Sequence, residues 1–274
     1  RMYRLYESKS LTAAYKKYRP THPPELARFV VNKMRSKNKT DSSEKVDVGC
    51  GSGQATNIFA PYFKKVLATD PSVNQLEHAR MQNKFDNVSY EEGTAENIKV
   101  EDCSLDLLVA GCALPYFDHP KFLQEADRVL KPGGYMALYG LQVPVLLQPD
   151  EVESIGTSIF KSYSKLCLDE FPDIQHLVVF WNTKYQTIFD AIKYEDKERK
   201  ESFSLVKNST MEDFLGFFRS THAYEMYMKK QAVGLNNLSD KEQMEKLKQL
   251  DVAEHCADEV LSRCYYCSCA TKPD

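Results

Sequence analysis

Val46-Asp47-Val48-Gly49-Cys50-Gly51-Ser52-Gly53 runs from a short apolar stretch into glycines at alternate positions, and the residues after it, 54–63, have helical spacing. A strand that ends in a glycine turn and continues as a helix marks a parallel α/β sheet. Glycine takes positive φ and, having no Cβ, lets the backbone come close to a ligand. In such sheets the ligand lies beyond the carboxyl ends of the strands. A dinucleotide fingerprint requires its third glycine at position 54, where Gln54 stands, and this disfavours a nicotinamide oxidoreductase. No Gly-Lys-Ser/Thr follows, so a P-loop is excluded. The turn fits a nucleoside-type cofactor without a pyrophosphate.

The pattern repeats outward. Strands are expected at 45–48, 65–69, 88–91, 105–110 and 135–139, separated by helices at 54–63, 72–83 and 119–130. Ser72 is a plausible N-cap, and Lys131-Pro132-Gly133-Gly134 stops the helix before it. Upstream, residues 11–19 and 24–37 read as helices, the second opened by Pro24. After Gly140 the chain is mostly helical and aromatic, with helices expected at 158–168 and 179–191, as in an inserted lid. A strand at 202–206, helices at 211–220 and 241–250, and a last strand at 263–270 complete the reading. The whole chain is read as one domain: a helical cap over 1–40, a cofactor-binding core over 41–140, a lid over 141–200 and closing elements over 201–274. Asp70 ends the second strand, 21 residues after Gly49, where a carboxylate can accept both hydroxyls of a ribose.

Composition limits the function classes. The 274 residues are 42% apolar and 27% charged, an ordinary globular balance that excludes a disordered or collagen-like chain. No run reaches the ~20 apolar residues of a membrane span, and no secretory leader is visible, so a cytoplasmic protein is expected. Residues 1–45 hold 12 basic and 4 acidic side chains, a local balance of +8 that reads as a solvated helix face. The net charge of −3 argues against nucleic acid as the main partner. The eight cysteines read as reduced thiols. Cys264-Tyr265-Tyr266-Cys267-Ser268-Cys269 has half the spacing of a zinc site, but no second half exists, so no metal is expected and the segment reads as a strand.

Asp47-Val48-Gly49-Cys50-Gly51-Ser52-Gly53, taken with Asp70, resembles the class I S-adenosylmethionine (SAM)-dependent methyltransferases. Gly93-Thr94-Ala95-Glu96-Asn97-Ile98 is similar to the segment that flanks the adenine in that family. Leu105-Asp106-Leu107-Leu108-Val109 with Ala113 resembles its fourth strand, and Arg128-Val129-Leu130-Lys131-Pro132-Gly133-Gly134 its helix-to-strand turn. Farther out, Tyr15-x-x-Tyr18-Arg19-Pro20 before Pro23-Pro24-Glu25-Leu26, and residues 211–224, resemble trans-aconitate methyltransferase-like enzymes. The sequence departs from these where many relatives carry His-Trp-Phe-Asp, since Pro115-Tyr116-Phe117-Asp118 stands there.

The resemblance implies a Rossmann-like α/β fold: a seven-stranded, mostly parallel sheet with helices on both faces, an N-terminal helix and a helical lid insertion. It implies SAM as cofactor, with Tyr18, Arg19, Asp47, Gly49, Gly51, Gly53, Asp70, Pro71, Ser72, Thr94, Ala95, Glu96, Ala110 and Cys112 in or behind its site. Arg19 is the candidate for the cofactor carboxylate, and Glu96 or Thr94 for the adenine amine. Tyr15 and Tyr116 are candidates to line the transfer site. His222 is a candidate base, although a lone histidine among aromatics is more often structural. The implied acceptor is a small molecule, a carboxylate first and an amine or hydroxyl second; a SAM-binding protein without turnover is a reading of another class. Arg219 is a candidate cation for an acceptor carboxylate.

Overall fold

The computed structural model describes residues 9–19, 21–37, 44–141, 145–147, 163–165, 169, 171, 175–183, 185–226 and 259–273. Five parallel strands form its centre: β1 (Glu44–Val48), β2 (Lys65–Asp70), β3 (Val88–Glu92), β4 (Leu105–Gly111) and β5 (Leu130–Leu141). The antiparallel β8 (Glu259–Thr271) joins β5 through residues 265–271, and β7 (Lys197–Ser209) pairs with its other edge. The seven long strands therefore lie in the order 3-2-1-4-5-8-7. A three-residue strand, β6 (Val145–Leu147), pairs with residues 260–262 of β8 on the edge that β5 also uses. The sheet is the expected mostly parallel one, with this short strand added to its seven.

Strand alternation divides the core between two faces. Val46, Val48, Leu108, Ala110, Met136 and Leu138 pack on one side with Phe122, Ala126 and Val129 of α5 (His119–Val129) and Ile188 of α7 (Gln186–Ala191). Leu107, Val109, Tyr135, Ala137 and Tyr139 pack on the other. There they meet Leu26, Val30 and Met34 of α2 (Pro24–Lys37) and Ala55 and Phe59 of α3 (Gln54–Phe59). α4 (Val73–Gln82) sets Leu76 and Ala79 against Ala68 and Tyr90. Helices cover both faces, which is why the central strands are near-continuous apolar runs.

Several boundaries differ from the sequence reading for local reasons. The helix expected over 54–63 ends at Phe59 and tightens into a 3-10 turn at Ala60–Tyr62, where Pro61 lacks the N–H that the α-helical ladder needs. The helix expected over 179–191 is two: α6 (Gln175–Asn182) and α7, divided at Tyr185, whose φ of 64° is left-handed. Residues 130–134 lie in β5 rather than in a free turn. Gly133 N–H donates to Lys272 O at 3.0 Å and Lys272 N–H to Gly134 O at 2.8 Å, so the turn is taken into the ladder. β7 begins at Lys197 and runs past the expected 202–206. Of the helix expected at 158–168 only 163–165 is described, and the one expected at 241–250 lies outside the described residues.

Two further helices close the site. α1 (Lys9–Tyr18) rests on α8 (Met211–Arg219), which opens with a capping box between Thr210 and Asp213.

Candidate active site

A cavity of about 150 Å3 opens at the carboxyl ends of β1, β2 and β4. The glycine turn forms its floor. Gly49, Gly51 and Gly53 have φ of 68°, 53° and 84°, values costly for any residue with a Cβ. Gly53 is the N-cap of α3 in left-handed conformation, so the turn passes directly into the helix.

β2 supplies the next wall. Asp70 ends the strand, and its two carboxylate oxygens accept from Gly51 N–H at 2.9 Å and Ser72 N–H at 2.8 Å. The acid thus ties the glycine turn to the start of α4, where Ser72 caps the helix by accepting from Gln75 N–H. Pro71, Ser72 and Gln75 line the cavity beside it. Across from them stand Thr94, Ala95 and Glu96. Glu96 accepts from the backbone N–H of Asp118 at 2.9 Å, which joins the 94–96 segment to the 115–118 loop. Asp118 in turn caps α5 by accepting from Lys121 N–H.

The end of β4 supplies Gly111, Cys112 and Ala113. Cys112 takes a φ of 59° and donates its N–H to Tyr139 O at 2.8 Å. Burial pushes its thiol up to about 11, with the Arg19 charge acting in the opposite sense, so the thiol is neutral at pH 7. The remaining wall is aromatic: Tyr15, Tyr116, Phe117, Tyr163, Tyr185, Phe217 and Phe218 face the cavity, with His22 among them. Burial lowers the His22 imidazole to about 4, so it is uncharged at pH 7. Arg19 lies 5.0 Å from the Tyr15 ring centre and 4.6 Å from that of Phe217. Its Nε–H donates to Ser220 Oγ at 2.9 Å.

Of the residues singled out in the sequence, the structure brings Tyr15, Arg19, Gly49, Gly51, Asp70, Pro71, Ser72, Thr94, Ala95, Glu96, Cys112 and Tyr116 to this cavity. Five stand away from its lining. Ala110 is fully buried in the sheet. Asp47 is buried behind the turn, and Gly53 packs against Tyr90. Tyr18 points to α8 and donates to Glu212 Oε1 at 3.1 Å. His222 has Nδ1 3.6 Å from Glu225 Oε2, in the helical stretch 222–226. Arg219 is engaged by Glu212 at 2.9 Å and is also outside the lining.

Tyr163 and Tyr185 belong to the aromatic stretch 159–189, whose content suggests an aromatic acceptor surface from sequence, whereas Phe217, Phe218 and Thr221 were not singled out for this wall. Cys50, Ser52, Gln54 and Ala55 lie within or next to the glycine segment, and its conformation alone brings them to the lining.

The turn also fits a close-lying ligand. A Cβ built on Gly51 meets no atom within 4 Å, so the space beside this backbone is open. Gly51→Ala is expected to cost about 1–2 kcal/mol of stability through its left-handed φ. Because the added methyl stands on the cavity floor, affinity for a ligand lying against this turn is expected to fall about tenfold. Thermal unfolding and calorimetric titration of the same preparation check the two effects separately.

Residues 46–138 match the family model described as a methyltransferase domain. A Dictyostelium discoideum protein whose name gives it as a methyltransferase is 32% identical over 229 residues, covering 80% of this chain and 78% of that one. An uncharacterized methyltransferase of Schizosaccharomyces pombe is 37% identical over 127 residues, covering 46% of this chain and 49% of its own length. Among solved structures, a type II methyltransferase from Anaeromyxobacter dehalogenans superposes with a TM-score of 0.67 at 20% identity, covering 94% of this chain and all of that one. The chain belongs to the class I SAM-dependent methyltransferases. Among the described residues no helix is long and apolar enough to cross a membrane, and no cluster of three metal-ligating side chains occurs.

Proposed function

We propose that the protein transfers a methyl group from SAM to a small carboxylic acid, giving a methyl ester. When bound, SAM supplies a sulfonium methyl already activated for direct displacement, so the protein has mainly to position and desolvate the reactants. The backbone of the glycine turn lies against the methionine part, Asp70 accepts from the ribose hydroxyls, and Thr94 and Glu96 stand at the adenine. Arg19, beside Cys112 at the end of β4, receives the cofactor carboxylate. Tyr15 and Tyr116 border the acceptor.

One observation carries the choice of acceptor. Among the described residues the cavity's single imidazole, His22, is a weak base at about 4, and its two carboxylates, Asp70 and Glu96, already accept from backbone N–H groups. An amine or hydroxyl acceptor must lose a proton during transfer, which calls for a base. A carboxylic acid is ionised at neutral pH and needs none. The resemblance of residues 15–26 and 211–224 to trans-aconitate methyltransferase-like enzymes supports the same class.

A second reading has its own observation. Thr221 Oγ1 donates to Phe218 O and shares a 2.6 Å bond with Tyr163 Oη. The threonine proton is used, so Tyr163 is the donor in that bond, and a phenol oxygen can accept as well as donate. That oxygen suits an N–H or O–H acceptor.

Methyl-labelled SAM separates the readings. With a panel of carboxylic acids and amines, label that alkali releases from the product identifies an ester. Alkali-stable label identifies an amine or ether and overturns the carboxylate assignment. Binding of SAM with no transfer to any panel member points to a cofactor-binding protein without turnover.

A further inference from the structure

Behind the glycine turn lies an ion pair with no access to solvent. Lys45 and Asp47 are two residues apart on β1 and therefore share a face of the sheet. Lys45 Nζ is 3.9 Å from Asp47 Oδ2, and the two side chains are 0% and 1% exposed. The ammonium stands 4.8 Å from the Phe59 ring centre on α3. Asp47 Oδ2 also accepts from Thr56 Oγ1, in the first turns of α3, at 2.5 Å. Lys45 Nζ and Asp47 Oδ1 find no hydrogen-bond partner among the described residues. Neither side chain lines the cavity.

A pair of this kind is a poor source of net stability, because desolvating both charges costs as much as their attraction returns. Its effect on Asp47 is more specific. Burial drives the carboxyl upward and the ammonium downward, and each charge holds the other against that drift. Without the cation, burial acts on the carboxyl unopposed by that charge and favours its protonated form. While ionised it can only accept, and the Thr56 hydroxyl then makes a charge-assisted bond to it. That bond ties the end of β1 to α3, and the residues between the two ends are the glycine turn.

We propose that Lys45 is a positioning residue for the cofactor: it keeps Asp47 an acceptor, which clamps α3 to β1 and fixes the turn at 49–53. The inference rests on the reading that this turn holds SAM. The titratable groups that face the pair are Cys50 from the turn and Tyr90 from β3, and Asp70 lies beyond Cys50. Burial pushes the thiol and the phenol upward, so both stay neutral between roughly pH 6 and 9.

The test is calorimetric titration with S-adenosylhomocysteine, which allows no turnover, across roughly pH 6 to 9. It uses the wild type, Lys45→Met, Lys45→Met/Asp47→Asn and Thr56→Val, with thermal unfolding measured in parallel. Wild-type affinity is the reference at each pH. In Lys45→Met the Asp47 carboxyl titrates at higher pH. Affinity then falls about fivefold at the acid end, the scale of losing charge from a charge-assisted bond, and recovers as pH rises through that pKa. The double variant and Thr56→Val are expected to be weaker by a similar factor at every pH. A Lys45→Met protein with wild-type affinity and a flat profile overturns the proposal, whatever its melting temperature, because a merely structural lysine moves only the melt. If Lys45→Met does not fold, wild-type affinity in Thr56→Val overturns the proposal and a loss in both remaining variants supports it. A wild type that binds neither SAM nor S-adenosylhomocysteine is a different failure, that of the cofactor reading itself.

Discussion

Replacing Asp70 with alanine is expected to weaken SAM binding at least about tenfold, the scale of one or more charge-assisted hydrogen bonds. Two losses combine in this variant. The first is internal: Asp70 accepts from Gly51 N–H and Ser72 N–H, so alanine releases the glycine turn from the start of α4. The second concerns the ligand. Each carboxylate oxygen has two lone pairs, so a carboxylate can accept from a ribose diol as well as from backbone N–H groups. The sheet should persist, because β2 is paired along its length with both β1 and β3. Asp70→Asn keeps one acceptor oxygen and loses the charge, so an intermediate affinity is expected. Calorimetry on a cooperatively folding variant measures the effect, and unchanged affinity removes Asp70 from the cofactor site.

The cavity lining was legible where it is local in sequence. The glycine turn, the acid ending the second strand and the 94–96 segment each follow one strand, and a parallel sheet brings the ends of neighbouring strands together. The aromatic wall was not legible in the same way. Tyr15 and Tyr116 were read as lining residues, but Phe217 and Phe218 reach the wall through packing between residues far apart in the chain, and their spacing resembles that of any buried helix. Lys45 illustrates the same limit on a smaller scale. Residues 45–48 read as an apolar strand, and only the structure shows that a lysine and an aspartate of that strand are sealed together in the core. The break at Tyr185 had no glycine or proline to announce it.

The contact between α1 and α8 gives the second large effect. Glu212, Gly216 and Ser220 follow one another at intervals of four, so they form a single stripe along α8. α1 lies on that stripe. The Tyr18 ring covers Gly216, its hydroxyl reaches Glu212, and Arg19 reaches Ser220. A Cβ at position 216 would fall 2.2 Å from Tyr18 Cδ1 and 2.4 Å from Cε1, closer than any packed carbon pair. In Gly216→Ala, therefore, α1 must lift, and it carries Tyr15 and Arg19 away from the cavity they line. Overpacking of this kind costs about 1–3 kcal/mol. The cost falls on the docking of α1 rather than on the sheet, so SAM affinity is expected to drop about tenfold to a hundredfold with little change in the main melting transition. Hydrogen exchange should report faster exchange across residues 9–19 in the same variant. The compensating change is Tyr18→Ala: combined with Gly216→Ala it removes the ring that the methyl strikes, and the double variant should bind SAM more tightly than Gly216→Ala alone. Equal affinity in Gly216→Ala and the wild type would mean that α1 does not hold the cofactor, and Arg19 would then lose its assignment to the cofactor carboxylate.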